Sequence, residues 1–285
     1  MSGGDTLRVA LPNKGRLAGP ALQLLRDAGL DLEVSPASLT TSARNFALDL
    51  LFVRAEDVPE YVADGVVDGG ITGVDLMAER APGLAAVLKL GFGACTLTLA
   101  VPRGASTGTP EDLAGCRVAT SFPRLTQAFF EDRGVSVQLV EVRGAVEVTP
   151  QLGVADAIVD LVATGSTMRL NGLRPIAPLL ESEAVLIARG EGPDEPWRPL
   201  AGMLRSVIDA RGKEYMMMNA PAESLERIRE LIPGMSGPTV MPLMDPEMIA
   251  IHSVVERATL WRLIPALKDV GARDILVVPI EKVVR

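Results

Sequence analysis

Through the first 190 residues, short apolar runs alternate with stretches of helical spacing. Strand-like runs fall at 7–11, 48–53, 66–72, 84–90, 96–101, 117–120, 137–142, 157–162 and 184–188. Leu17, Ala21, Leu24, Leu25 and Ala28 recur at helical spacing and Gly29 follows, which predicts an amphipathic helix with a glycine stop. The stretches 56–63 and 123–133 keep the same period. Strand–helix alternation of this kind predicts a largely parallel sheet with helices on both faces. Near 91–104 the pattern changes to Gly91-Phe92-Gly93 and a Pro102-Arg103-Gly104 turn, which reads as a crossing into a second α/β lobe, with the return near 178–190.

Beyond Pro193, Pro196 and Pro199, a helix is expected around Leu200, Leu204, Val207 and Ile208. Next come a strand at 214–218, a helix at 221–231, and strands at 239–243 and 248–255 joined by Asp245-Pro246. A helix at 259–270 ends at Gly271, and 274–279 is a last strand. That β-α-β-β-α-β order is the ferredoxin-like plan. Pro265 falls inside the last helix and is expected to kink it or move its start.

The chain has 285 residues, which at roughly 150 per domain suggests about two domains and leaves room for a small third. Apolar residues make up 48% and charged residues 22%, so most of the chain is expected to fold rather than stay disordered. No apolar run approaches the ~20 residues of a membrane span, and the start lacks the basic and apolar segments of a signal peptide. The expected location is the cytoplasm, with no membrane contact. Cys95 and Cys116 are too far apart for a CxxC motif and too few for a disulfide framework, and they read as small core residues.

The balance of 28 basic against 36 acidic residues, a net charge of −8, argues against a nucleic-acid surface. Any anionic ligand must then be held by a local cationic cluster or by backbone amides. The single histidine, His252, sits in an alternating strand-like run, so chemistry independent of imidazole is expected.

Two segments carry candidate chemistry. In Asp156-Ala157-Ile158-Val159-Asp160 an apolar run meets an acid, and Thr164-Gly165-Ser166-Thr167 then turns into a helix start. Amides at a helix N-terminus, a glycine that lets backbone approach and three hydroxyls make an anion cradle, while Asp160 is suited to accept hydrogen bonds from sugar hydroxyls. A capped helix after a strand would use the same residues. Pro12-Asn13-Lys14-Gly15-Arg16-Leu17 is a second strand-to-helix turn, and two cations at a helix start oppose the macrodipole unless an anion lies between them. Arg54, just past another strand, joins that cluster. Gly69-Gly70-Ile71-Thr72-Gly73-Val74-Asp75 reads either as a simple turn or as close backbone approach to a ligand, with Asp75 facing it. No Walker loop and no G-x-G-x-x-G after the first strand occurs.

In order and spacing, three segments resemble the ATP phosphoribosyltransferase family: Pro12 to Leu17, Asp68 to Asp75, and Ala119-Thr120-Ser121-Phe122-Pro123. So does the run holding Glu147, Gly153, Ala155, Ile158, Asp160, Thr164, Gly165, Thr167 and Met168, and the likeness extends over essentially the whole chain. The resemblance implies the long form. Its plan is two periplasmic-binding-protein-like catalytic lobes (1–92 and the return 183–211 for the first, 93–182 for the second) followed by an ACT-like regulatory domain, 212–285. It implies a magnesium-dependent transfer of phosphoribosyl from phosphoribosyl pyrophosphate to N1 of ATP, opening histidine biosynthesis. Carried over by residue, Asp160 would hold the ribose hydroxyls, and Ala163, Thr164, Gly165, Ser166 and Thr167 the 5-phosphate. Lys14, Arg16 and Arg54 would neutralise phosphates, Asp160, Lys14 and Arg16 being the catalytic set, and Asp75 would line the nucleotide side. Free histidine, and AMP, would inhibit, histidine near Asn219, Met235, Ser236, Thr239 and Val277, in a homo-hexamer or dimer. Phe122 stands where the family usually has tyrosine, and Asn219 where an acid is common, so a ligand ammonium would lose a carboxylate there. On the residues alone, a two-lobed solute-binding or effector-sensing protein and another phosphosugar enzyme remain open.

Overall fold

The computed structural model describes residues 6–35, 38–189, 197–232, 234 and 237–285. Chain contacts divide it into two compact units, Met1–Ala201 and Gly202–Arg285. The first unit holds two sheets.

The first sheet is built from β1 (Leu7–Pro12), β2 (Thr40–Ser42), β3 (Leu48–Val53), β4 (Gly69–Gly73), β5 (Ala85–Lys89) and β11 (Ala184–Ala188), in the order β2-β3-β1-β4-β11-β5. β1 runs parallel to β3 and β4, whereas β11 is antiparallel to β4 and β5, and β2 to β3. The second sheet holds β6 (Cys95–Pro102), β7 (Arg117–Thr120), β8 (Gln138–Glu141), β9 (Ala157–Val162) and β10 (Leu173–Ser182), in the order β10-β6-β9-β7-β8. Here β7 is parallel to β8 and β9, and β6 antiparallel to β9 and β10. The sheets are therefore mixed and not largely parallel. The chain crosses between lobes through strands, which re-enter in the opposite sense, and helical crossovers alone enforce parallel pairing.

Helix α1 (Ala18–Asp27) buries Ala21, Leu24 and Leu25, and Gly29 at φ +99° receives the chain as it leaves. Helices α2 (Val58–Ala63), α3 (Val74–Arg80), α4 (Pro123–Glu131) and α5 (Ser166–Leu170) follow strands in the same way. β10 and α3 do not show in the sequence pattern. β10 is broken by Pro175 and Pro178, with register shifts at both, and α3 starts directly from a glycine-rich strand.

The glycines of that strand serve packing rather than a turn. β4 is buried throughout, and a β-carbon at Gly69 would collide with the Trp197 ring, one at Gly70 with Val58. Phe122 is also a packing residue, buried in the core of the second sheet with Phe129, Phe130 and Leu97.

α3 bridges the two sheets. Leu76 packs on the core of the second, and the buried Glu79 accepts the N–H groups of Arg124 and Leu125, both at 2.9 Å, in the first turn of α4. A carboxylate there satisfies orphan donors and the helix dipole together. Glu79→Ala is expected to cost about 2–3 kcal/mol in urea unfolding, and Glu79→Gln, which keeps one acceptor, about half of that. Equal stability of Glu79→Ala and the parent would show that water caps α4 as well.

The second unit contains the end of α6 (Arg198–Ala210), then β12 (Lys213–Pro221), α7 (Leu225–Leu231), β13 (Thr239–Pro242), β14 (Met248–Glu256), α8 (Leu260–Asp269) and β15 (Arg273–Pro279). Its antiparallel sheet, in the order β13-β14-β12-β15, gives the ferredoxin-like plan. Met216, Met218 and Ala220 alternate toward the helix-covered face and pack with Ile228, Ile251 and Leu267. α8 runs through Pro265 without moving its start to the proline. Among the described residues no helix is long and apolar enough to cross a membrane.

Candidate functional site

Parallel pairing of β1 with β3 and β4 brings three loops to one edge of the first sheet, the edge at which open α/β sheets bind ligands. The Asn13 N–H donates to the Val53 carbonyl at 2.7 Å, which locks the loops after β1 and β3 side by side. Gly15, at φ +84°, makes the turn that carries Lys14 and Arg16. Lys14 stands exposed, and Arg54 lies beside it in the fold, 3.6 Å from Glu56 and largely exposed.

Arg16 is held differently. One guanidinium nitrogen donates to the Gly93 carbonyl, and the other lies 3.7 Å from Asp75. Asp75, expected to face a ligand, is only 1% exposed. Its carboxylate accepts the Ser182 hydroxyl at 2.6 Å, and its own N–H donates to Ser182 Oγ at 3.1 Å. Asp75, in the first turn of α3, is thus covered between Arg16 and Ser182. The Cys95 thiol sits against the same group. Burial raises its pKa, with Arg16 opposing, and the half-buried Cys116 is the less enclosed of the two thiols.

In the second sheet, β9 lies between β6 and β7 and delivers Asp160 near its end. Asp160 is half-buried, and its Oδ1 accepts the Leu161 N–H at 2.8 Å. Burial pushes its pKa up to about 6, the nearby Glu147 charge adding to the rise and the Leu161 hydrogen bond opposing it. Past Val162 the chain exposes Ala163, Thr164, Ser166 and Thr167, and Gly165 turns the corner at φ +71° as the residue before α5. The Thr164 and Ser166 hydroxyls lie 2.8 Å apart, and the buried Met168 anchors the short helix behind them. The first amides of a helix have no acceptor of their own, so the loop offers donors to an anion. Arg169 was not expected here. Its guanidinium lies over the loop, 3.7 Å from where a β-carbon on Gly165 would sit. Spacing alone could have suggested it, since it follows the loop by a single helical turn.

A cavity of about 720 Å³ lies beside the strand crossings, lined by Val74, Phe92, Cys95, Ala163 and Ser182 among others. Of the candidate site residues only Ala163 lines it; Lys14, Arg16, Arg54, Asp160 and Thr164 to Thr167 do not. Among the described residues no three His, Cys, Asp or Glu side chains group as a metal cage.

In the second unit, Asn219 stands on the open face of β12 and donates from Nδ2 to Asp274 at 3.1 Å. The carboxylate missing at 219 is thus present one strand away, on a residue held at φ +54°. Thr239 pairs with His252, which pairs with Met217, so it shares that open face. Val277 pairs with Met216 on the helix-covered face and does not join them. Met235 and Ser236 lie outside the described residues. His252 is a satisfied strand residue, its Nδ1 3.1 Å from the Tyr215 hydroxyl.

Comparison with known proteins agrees with this architecture. The ATP phosphoribosyltransferase family matches residues 54–206, and its C-terminal domain matches 210–282. An ATP phosphoribosyltransferase of Methanocella arvoryzae is 45% identical over 98% of this chain and 100% of its own. That of Methanosarcina barkeri is 43% identical over 97% and 99%. A solved ATP phosphoribosyl transferase (HisG:HisZ) complex from Thermotoga maritima is 30% identical, with a TM-score of 0.57, over 64% of this chain and 87% of that one. An ABC-transporter protein from Listeria monocytogenes, 17% identical with a TM-score of 0.50 over 72% and 91%, shares the two-lobed fold alone. Matched across both units and over nearly the full length of its relatives, the chain belongs to the ATP phosphoribosyltransferase family, in the long form that carries its own C-terminal domain.

Proposed function

We propose that this enzyme transfers the phosphoribosyl group of phosphoribosyl pyrophosphate to N1 of ATP, releasing pyrophosphate, in the cytoplasm as the opening step of histidine biosynthesis. The observation that carries the reading is the run from Asp160 to Thr167, a half-buried acid near a strand end followed by an exposed turn of hydroxyls and glycine that opens a helix. The loop would take the 5-phosphate and Asp160 the ribose hydroxyls. Arg16, with Lys14 and Arg54 at the sheet mouth, would neutralise the diphosphate and the ATP phosphates. Departure of pyrophosphate from a sugar carbon with oxocarbenium character asks for charge stabilisation and positioning more than for a strong base. A site without imidazole suits that demand.

Magnesium bound with the diphosphate would spread its charge. Asp160 and Glu147, oxygen donors close enough to feel each other's charge, are the carboxylates that could reach it, substrate phosphates and water completing the shell. Mixing ATP and phosphoribosyl pyrophosphate with the enzyme should yield an adduct with altered adenine absorbance. A solute-binding protein would instead raise its melting temperature with ligand and form no product.

Feedback inhibition by free histidine belongs to the same proposal, with AMP as a second inhibitor and a homo-hexamer or dimer as the working assembly. Asn219 and Asp274 together would receive the ligand ammonium. Asp274→Asn, which removes the charge and keeps the shape, should raise the inhibiting histidine concentration about 5- to 10-fold, within the usual range of one charge-assisted contact. Inhibition curves that superimpose would place the ammonium elsewhere.

A further inference from the structure

We propose that Asp75 is a positioning residue for the transfer, tying the Arg16 guanidinium, itself bonded to the outward strand crossing, to the return crossing between the two lobes. The inference rests on reading Arg16 as a phosphate-neutralising cation. Asp75 is too deeply buried, at 1% exposure, to touch substrate itself. A buried carboxylate is costly unless it is paired and hydrogen-bonded, and replacing a buried ion pair as a whole by apolar residues is often neutral or better for stability. Its presence here is explained by what it holds.

Two observations identify that task. The first is the bracket around Arg16. One guanidinium nitrogen is tied to the Gly93 carbonyl, the other faces Asp75 at 3.7 Å, and the side chain remains 39% exposed. An ion pair serving stability alone would gain by closing that distance. Gly93, Asp75 and the Cys95 thiol hold this guanidinium in one orientation while it stays partly exposed.

The second is where the anchors lie. Gly93 is in the outward crossing from β5 to β6, and Ser182 ends β10 in the return to β11. Asp75 and Ser182 are 107 positions apart, yet the hydroxyl donates to the carboxylate at 2.6 Å. Gly73 completes the arrangement. A β-carbon there would collide with the Asp75 carboxylate, so the strand ends in glycine where the acid folds back. Arg16 itself holds the outward crossing at Gly93 and Asp75 holds the return crossing at Ser182, so any change of angle between the lobes must be felt at Arg16.

The test is a double-mutant cycle in the full-length enzyme, made of Arg16→Ala, Asp75→Asn and the pair, assayed for kcat/KM with phosphoribosyl pyrophosphate. Asp75→Asn should cost about 10-fold in the parent and less than twofold once Arg16 is gone. A loss of the same size in both backgrounds would mean that Asp75 acts on the fold alone, and the inference would fall. So would full activity of Asp75→Asn beside a crippled Arg16→Ala. Full activity of Arg16→Ala would instead overturn the reading of Arg16 on which the inference stands. Should Asp75→Asn not fold, Ser182→Ala keeps the charge and removes its closest donor. It should cost about threefold with Arg16 and nothing without it, and no loss in either background overturns the proposal.

Discussion

Asp160→Asn is expected to lower kcat/KM by 10- to 100-fold while leaving the protein at least as stable as its parent at pH 8. The activity loss follows from the charge-assisted hydrogen bonds that a carboxylate, and not an amide, makes to sugar hydroxyls, each worth about 1.5–3 kcal/mol. The stability side follows from the raised pKa. Folding moves Asp160 from an ordinary 3.8 up to about 6, mainly through burial. Between these values the folded state still holds a proton that the unfolded state has released. Stability therefore falls as pH rises through that window, and the cost is complete above about pH 6. Asparagine carries no charge to bury and removes the cost. The parent should also lose activity below about pH 6, where Asp160 is protonated, and the variant's pH profile should lack that limb. Melting curves at pH 8 and a pH–rate profile read both effects. A variant within twofold of the parent in kcat/KM would reduce Asp160 to a strand-end acid.

Gly165→Val is expected to abolish measurable phosphoribosyl pyrophosphate binding, a loss of at least about 100-fold in calorimetry. From the loop motif alone, valine should leave melting unchanged, since only backbone approach to the ligand would be blocked. The geometry says otherwise. Gly165 sits at φ +71°, where a β-branched residue is strained by about 1–3 kcal/mol. A β-carbon would meet only ordinary contacts, with Arg169 at 3.7 Å and Val162 at 3.9 Å. The strain is thus in the backbone, and the loop relieves it by turning its amides out of line. A lowered melting temperature should accompany the lost affinity. Unchanged affinity would remove the loop from phosphate binding.

Periodicity makes most of this fold legible in the sequence. The strand at 157–162 and the glycine turn into a helix after it could be read in place, because an apolar run, an acid, a glycine and hydroxyls each act locally. The ferredoxin-like unit was readable for the same reason. What escaped the sequence depends on distant partners. Gly69 and Gly70 look like a turn, and only Trp197 and Val58 show that they clear space for packing. Asp75 looks like a ligand-facing acid until Ser182, far along the chain, is seen to hold it. Asn219 looks like a lost charge until Asp274 is placed beside it. Local chemistry can be read from neighbouring residues, whereas the side to which a group turns is set by elements elsewhere in the chain.

The place of β11 has a consequence for how the protein is made. In the first sheet it lies between β4 and β5, and neither of those strands pairs with the other. A growing chain therefore holds β1 to β5 with a slot left open until residues 184–188 emerge. At about 5–20 residues per second, the roughly hundred residues between β5 and β11 take about 5–20 s to synthesise. The second sheet, continuous from Cys95 to Ser182, needs no strand from outside that stretch. It is expected to close first, although it comes second in the chain, and the N-terminal lobe to complete itself around the strand that returns from it.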